Sequence, residues 1–177
     1  MSSLYIVLDF VFRLACLLFL MRFLLQASGA NFYNPISQAI VKASDPICKP
    51  LRTIVKPVAK FDFASLIVAW LVSVLGFAVS DFIVGAVPAI GPVLWAGLIK
   101  TLLVLLQFYK WTIIIIVVAS FVSQGTQHPA LTLLNQLLEP VMGPVRRVMP
   151  NLGPLDLSPM VVLLVIILIE DNLMRAF

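Results

Sequence analysis

Four apolar runs dominate this sequence, and each is long enough to cross a bilayer. They cover residues 4–25, 63–87, 93–122 and 159–177. About 20 apolar residues in a helix span a hydrocarbon core of roughly 30 Å. Backbone N–H and C=O groups find no water at that depth, so spans of this kind are expected to be helices. The first run exceeds the roughly 7–15 residues of a signal h-region and has no basic segment before it, so it reads as a retained span. The third run, 30 residues long, contains Gln107, Tyr109, Lys110 and Trp111. Tilting, extension beyond the bilayer, or a break into two half-helices would each accommodate it. Between the second and third runs, Pro88-Ala89-Ile90-Gly91-Pro92 forms a short uncharged turn that stops a helix.

Composition agrees with a lipid environment. The chain is 62% hydrophobic and 11% charged, against about 25% charged in soluble domains. A soluble fold of this size has too much surface to hide so much apolar area. The net charge of +4 comes mainly from clusters between the runs, which suits lipid headgroups rather than nucleic acid. Cys16 and Cys48 form no CxxC pair and set no disulfide framework.

Sliding the sequence on itself by 94 residues aligns the two long connections without a gap. Pro35 falls on Pro129, Pro46 on Pro140, Pro50 on Pro144, Arg52 on Arg146 and Asp62 on Asp156, while Asp45 falls on Glu139. Prolines and charges are scarce here, so their coincidence marks a tandem duplication. The unit is span, connector, span, with residues 1–87 as the first copy and 93–177 as the second. The expected fold is all-α, with four transmembrane helices in two parallel repeats related by an axis near the membrane normal.

The connectors are amphipathic. Ile36, Ala39, Ile40 and Ala43 recur at helical spacing in the first, and Leu131, Leu134, Leu138 and Val141 in the second. Each is expected to form a short helix lying in the membrane interface. Such a helix should end at Asp45-Pro46 or Glu139-Pro140, because the residue before proline disfavours the α region. Pro50 and Pro144 should then keep the chain irregular, leaving Arg52, Arg146 and Arg147 to meet lipid phosphates. Asp62 and Asp156 precede the second and fourth spans, where a carboxylate can cap free N–H groups. Ser158-Pro159 strengthens the start of the fourth span.

Asp45-Pro46-Ile47-Cys48-Lys49-Pro50-Leu51-Arg52 and Glu139-Pro140-Val141-Met142-Gly143-Pro144-Val145-Arg146-Arg147 resemble the two signature segments of the YggT family. YlmG-like proteins of Gram-positive bacteria and plastids belong to the same group. Phe32-Tyr33-Asn34-Pro35 and Ser123-Gln124-Gly125 fit the pattern, whereas Lys56-Pro57 stands where an isoleucine-proline step is usual. The resemblance covers nearly the whole chain. It implies a four-span protein whose relatives are linked to osmotic stress, to cell division or nucleoid distribution, and to haem attachment in plastid cytochrome b6 assembly.

Lys42, Lys49, Arg52, Lys56 and Lys60 lie in the first connector and Arg146 and Arg147 in the second, while the turn at 88–92 has no cation. The positive-inside rule places both connectors in the cytoplasm and both termini outside, in a multi-pass protein of the cell inner (plasma) membrane.

No nucleophile–base pair, phosphate loop or metal-ligand cluster can be assembled, so the chain does not read as an enzyme and implies no cofactor or metal. His128, the only histidine, precedes Pro129 and reads as structural. Cys48 aligns with Met142 and reads as an apolar filler. Within the spans, Asp9 and Arg13 have the spacing of a pair on one helix face. Asp81, Lys100, Glu170, Asp171 and Arg175 fall toward the outer side, and Lys110 lies near mid-span, where it needs a carboxylate, carbonyl or water.

The expected function is a scaffold or assembly factor. Asp45, Pro46, Pro50, Arg52, Glu139, Pro140, Pro144, Arg146 and Arg147 would dock membrane lipids or other membrane proteins. The alternative is an oligomeric channel or transporter-like protein in osmotic ion handling, built on Asp81, Lys100 and Lys110, with homo-oligomers supplying the missing pore walls.

Overall fold

The computed structural model describes residues 3–122, 128–149 and 156–175, and among them every regular element is a helix. In chain order these are α1 (Ser3–Ser28), α2 (Pro35–Ile54), α3 (Phe63–Ile83), α4 (Ile90–Val122), α5 (Pro129–Val148) and α6 (Ser158–Arg175). The Ser123-Gln124-Gly125 segment lies outside the described residues.

Three helices are long and apolar enough to cross a membrane: Ser3–Ser28, Phe63–Ile83 and Ile90–Ser120. α6 is shorter, at 18 residues, and carries Glu170, Asp171 and Arg175 in its second half. α4 is one unbroken helix through Gln107–Trp111. Its 33 residues give a length of about 50 Å, well beyond the hydrocarbon core. It begins inside the Pro88–Pro92 turn, with Pro92 in its first turn, where the missing N–H costs little.

Both connectors start by the same device. Asn34 caps α2, its Oδ1 accepting from the N–H of Ile36 at 2.9 Å, with Pro35 as the first helical residue. His128 caps α5 in the same way, its Nδ1 accepting from the N–H of Ala130 at 3.2 Å ahead of Pro129. These two caps occupy equivalent places under the 94-residue offset, so His128 has a structural task.

The connectors do not end at their acid-proline steps. α2 runs through Pro46 and Pro50, and α5 through Pro140 and Pro144. Each proline removes the bond to the carbonyl four residues earlier, on Lys42, Pro46, Gln136 and Pro140, and none of these residues is buried. Side chains secure the turn before Pro46: Arg22 Nη1 donates to Val41 O at 2.9 Å, and Ser44 Oγ to Ile40 O at 2.6 Å. Tertiary contacts thus override the local preference of the residue before proline.

Within each copy the three helices pack on one another: α1, α2 and α3 in the first, α4, α5 and α6 in the second. Between copies α3 meets α4 most extensively, α1 meets α4, α2 meets α5 and α1 also touches α5. Among the described residues the counterpart pairs α1–α6 and α2–α4 do not touch, so the contacts between copies depart from the expected two-fold relation. Asn34 Nδ2 donates to Pro129 O at 2.8 Å and the Asn31 N–H to Gln136 Oε1 at 2.9 Å, tying the two connectors together. Leu24, Leu25, Ile113, Leu133 and Leu137 form the main core beneath them. α3 and α4 approach closely at Gly97, where a Cβ would lie 2.9 Å from the backbone nitrogen of Val74.

The packed face of α2 is Ser37, Ile40, Ser44 and Cys48. Ile36, Ala39, Ala43 and Ile47 stay exposed, so most of the apolar stripe expected from the sequence is not covered by protein. In α5, Leu138 is buried and Leu131, Leu134 and Val141 are half-buried. Cys48 and Met142 are both buried at their shared position, as apolar filling requires.

Candidate functional site

Charged side chains gather where each connector meets its spans. In the first copy Arg22, near the end of α1, is 4% exposed and Asp62, just before α3, is fully buried. Arg22 Nη2 contacts Asp45 Oδ1 at 2.6 Å, and its Nη1 donates to Ser44 Oγ at 2.7 Å. Its Nε lies 3.7 Å from Asp62 Oδ2. Arg52 donates to the same carboxylate through Nε, at 3.2 Å, and through Nη2. The Ser65 hydroxyl also bonds Asp62, and Lys49 Nζ holds Asp45 at 2.8 Å.

Electrostatics follow from these partners. Burial pushes the Asp62 carboxyl up, but the Arg52 guanidinium and the Ser65 hydroxyl outweigh it and hold the group below the usual carboxylate value. The Lys49 ammonium, helped by Arg22 and opposed by partial burial, holds Asp45 down as well. The result is an α1–α2–α3 clamp of two arginines and two aspartates, in which only Arg22 Nε is left buried without a hydrogen bond.

The second copy repeats the frame with weaker fastening. Arg146 Nε bonds Asp156 Oδ2 at 3.0 Å, and its Nη1 approaches Glu139 Oε2 at 3.4 Å. All three are far more exposed than Arg22 and Asp62. Asp156 also accepts from the N–H of Ser158 at 2.9 Å. Ser158, with help from Arg146 and against slight burial, holds its carboxyl below the usual value. Asp156 therefore caps the start of α6 as expected, whereas Asp62 makes no side-chain cap and serves Arg52.

Two further ion pairs join α4 to its neighbours. Lys100 Nζ on α4 reaches Asp9 Oδ1 on α1 at 2.8 Å, so Asp9 turns to a neighbouring helix rather than to Arg13. Lys110, near mid-span, pairs with Glu170 of α6, and Gln107 Nε2 donates to the other oxygen of that carboxylate at 3.1 Å. This is the carboxylate partner that a lysine at such depth requires. Beside the first pair lies a cleft lined by Asp9, Arg13, Cys16, Ser73 and Lys100. Asp81 enters neither pair and sits half-buried toward the end of α3.

The structure thus joins Asp45, Arg52 and Asp62 in one copy and Glu139, Arg146 and Asp156 in the other, and leaves Arg147 and the four connector prolines exposed. Arg22 is the residue that sequence reasoning misses. An arginine inside the first apolar run, with Asp45 and Asp62 the next acids along the chain, was its available signal.

Comparison with known proteins matches this architecture. The chain belongs to the CCB3/YggT family, whose sequence model matches it twice, at residues 1–83 and 95–177. The two matched segments begin 94 residues apart. An uncharacterised protein of Pseudomonas aeruginosa is 38% identical over 163 residues, covering 87% of this chain and 79% of that protein. An uncharacterised Vibrio alginolyticus protein is 37% identical over 163 residues, covering 91% and 88%. The uncharacterised protein YggT of Escherichia coli K12 is 34% identical over 175 residues, covering 96% and 88%. No solved structure matches the chain.

Proposed function

We propose that this protein is a non-enzymatic membrane scaffold or assembly factor that docks partners or lipid headgroups on its connector helices. In this reading α6 is a fourth span. Its exposed Val161, Leu164, Val165, Ile167 and Leu168 would face lipid, and Glu170 enters neutralised by Lys110. Four crossings and the positive connectors put α2 and α5 on the cytoplasmic face of the inner membrane.

The carrying observation is the division of labour around α2. Ser37, Ile40, Ser44 and Cys48 are packed on the spans. Ile36, Ala39, Ala43 and Ile47 form a second, uncovered apolar stripe, with Lys42 and Lys49 exposed to one side of it. A helix of this kind suits the headgroup boundary. Arg52 and Arg146 orient the connectors through Asp62 and Asp156. Docking therefore falls chiefly to Lys42, Lys56, Lys60 and Arg147, all exposed.

Photo-crosslinkers placed beside Lys49 and Arg147 in cells should give recurrent adducts with a membrane protein or with anionic lipid. Those adducts should disappear in a Lys42→Glu, Lys60→Glu, Arg147→Glu variant that still inserts. Undiminished adducts in that variant would count against the scaffold.

The pairs Asp9–Lys100 and Lys110–Glu170 favour a second reading, an oligomeric channel or transporter-like protein in osmotic ion handling. Proteoliposome flux sensitive to Lys110→Leu supports it, and ion-tight vesicles holding folded protein exclude it.

A further inference from the structure

Under the 94-residue offset, the second copy lacks two cations that the first copy uses. Arg22 corresponds to Ile116 and Lys49 to Gly143, while the acids and the connector arginine are kept. The first copy sets Arg22, Lys49 and Arg52 against Asp45 and Asp62; the second sets Arg146 alone against Glu139 and Asp156. The second frame is short of positive charge.

Space is left at the same place. A cavity of about 50 Å³ opens among α4, α5 and α6, lined by Ile113, Ile116, Asn135, Leu138, Glu139 and Arg146 among others. Its first-copy counterpart is filled by the Arg22 guanidinium, which Asp45 holds at 2.6 Å and Ser44 at 2.7 Å. Glu139, the counterpart of Asp45, receives Arg146 only at 3.4 Å, and Arg146 is committed to Asp156 at 3.0 Å. The Glu139 carboxylate leans over Gly143, where a Cβ would meet Oε1 at 3.2 Å.

We infer that this cavity receives a guanidinium group, the arginine side chain of a partner segment docking against α5. The inference rests on the scaffold reading and names the chemistry of its partner. The first copy shows the same frame holding such a group from within the chain. The planar, weakly hydrated fork of arginine suits one carboxylate set among the apolar walls of Ile113, Ile116 and Leu138. A divalent metal would want about six oxygen ligands, more than this lining supplies. A drug-sized ligand needs roughly 300 Å³ or more.

The test uses full-length protein in detergent with N-ethylguanidinium as the arginine stand-in, followed by crosslinking in cells. Wild type should show a saturable thermal shift that ethylammonium does not reproduce. Glu139→Gln should weaken probe binding roughly tenfold, the scale of one lost charge-assisted contact. Ile116→Arg with Leu138→Ser, which rebuilds the first-copy arrangement, should abolish the probe response and the partner adducts formed near Arg147. Should that variant fail to fold, Glu139→Gln alone carries both readouts. No shift in wild type, an equal shift with ethylammonium, or an unchanged response in Glu139→Gln overturns the guanidinium site. Partner adducts that persist when the probe response is lost overturn the partner's arginine and leave the scaffold standing. Probe binding without adducts in wild type fails the scaffold reading, and the partner's arginine with it.

Discussion

Arg22 grips Asp45 across the α1–α2 interface at 2.6 Å while 4% of it remains exposed. This contact fixes the first connector against the span that precedes it, one turn from where Pro46 breaks the backbone ladder. Removing one partner of a buried ion pair strands the other charges, at a cost of about 3–5 kcal/mol. Arg22→Met should therefore destabilise the protein on that scale. Arg146→Met, in the exposed counterpart frame, should cost about 1 kcal/mol or less. Unfolding in mixed detergent micelles measures both; equal losses would show that burial of Arg22 confers no special role.

Acid should release the same clamp. Asp62 has a carboxyl held below its ordinary value of 3.8, so it stabilises the fold fully above the unfolded value. That contribution is lost as pH falls through the lower, folded value. Stability should stay flat from neutral pH down to the ordinary carboxylate range and then decline. Asp62→Asn should be less stable at neutral pH and show a shallower acid limb. Thermal scans of both proteins across acidic pH test this, and identical acid limbs would remove Asp62 from the account.

Lys110 and Glu170 should behave as one unit. Lys110→Met or Glu170→Gln alone strands a mostly buried charge and should cost about 3–5 kcal/mol. The double change to Lys110→Met with Glu170→Gln should recover most of the loss. A double-mutant cycle of unfolding free energies reads the coupling, and simple additivity would show that the pair is not coupled.

Gly97 should tolerate no side chain. A methyl group there would press on the Val74 backbone, with its Cα only 3.0 Å away. Gly97→Ala should cost about 1–3 kcal/mol through overpacking. Gly91→Ala, with nothing within 4 Å of its added carbon, should be close to neutral. The comparison of melting temperatures needs only these two variants.

Much of this architecture was legible in the sequence because it rests on patterns that lipid enforces. Long apolar runs at 4–25, 63–87 and 93–122 became α1, α3 and α4, since a helix is the solution a spanning chain has. The demand of Lys110 for a carboxylate was likewise legible, although only the packing of α4 on α6 could name Glu170. Local rules failed where tertiary contacts took over. Asp45 was expected to end a helix and instead sits inside one, held by Arg22 and Lys49. Asp62 was expected to cap α3, yet a guanidinium ten residues upstream claims its oxygens. Asp9 and Arg13 had pairing distance along one helix, but Lys100 stood closer in space. Such exchanges depend on which helices are neighbours, and spacing along one chain segment does not carry that information.

The tight crossing at Gly97 also bears on how the molecule can move. It joins the last helix of one repeat to the first helix of the other, and Trp70 adds a bond from its indole N–H to Leu94 O at 3.2 Å. That seam behaves as a weld between the halves. A rocking cycle, in which one repeat swings as a rigid lever against its twin, would have to tear it open at every stroke. Motion that spares the weld is confined to the connectors and the α6 side, so any conformational signal would arise at the connector helices and not from the hinging of two lobes.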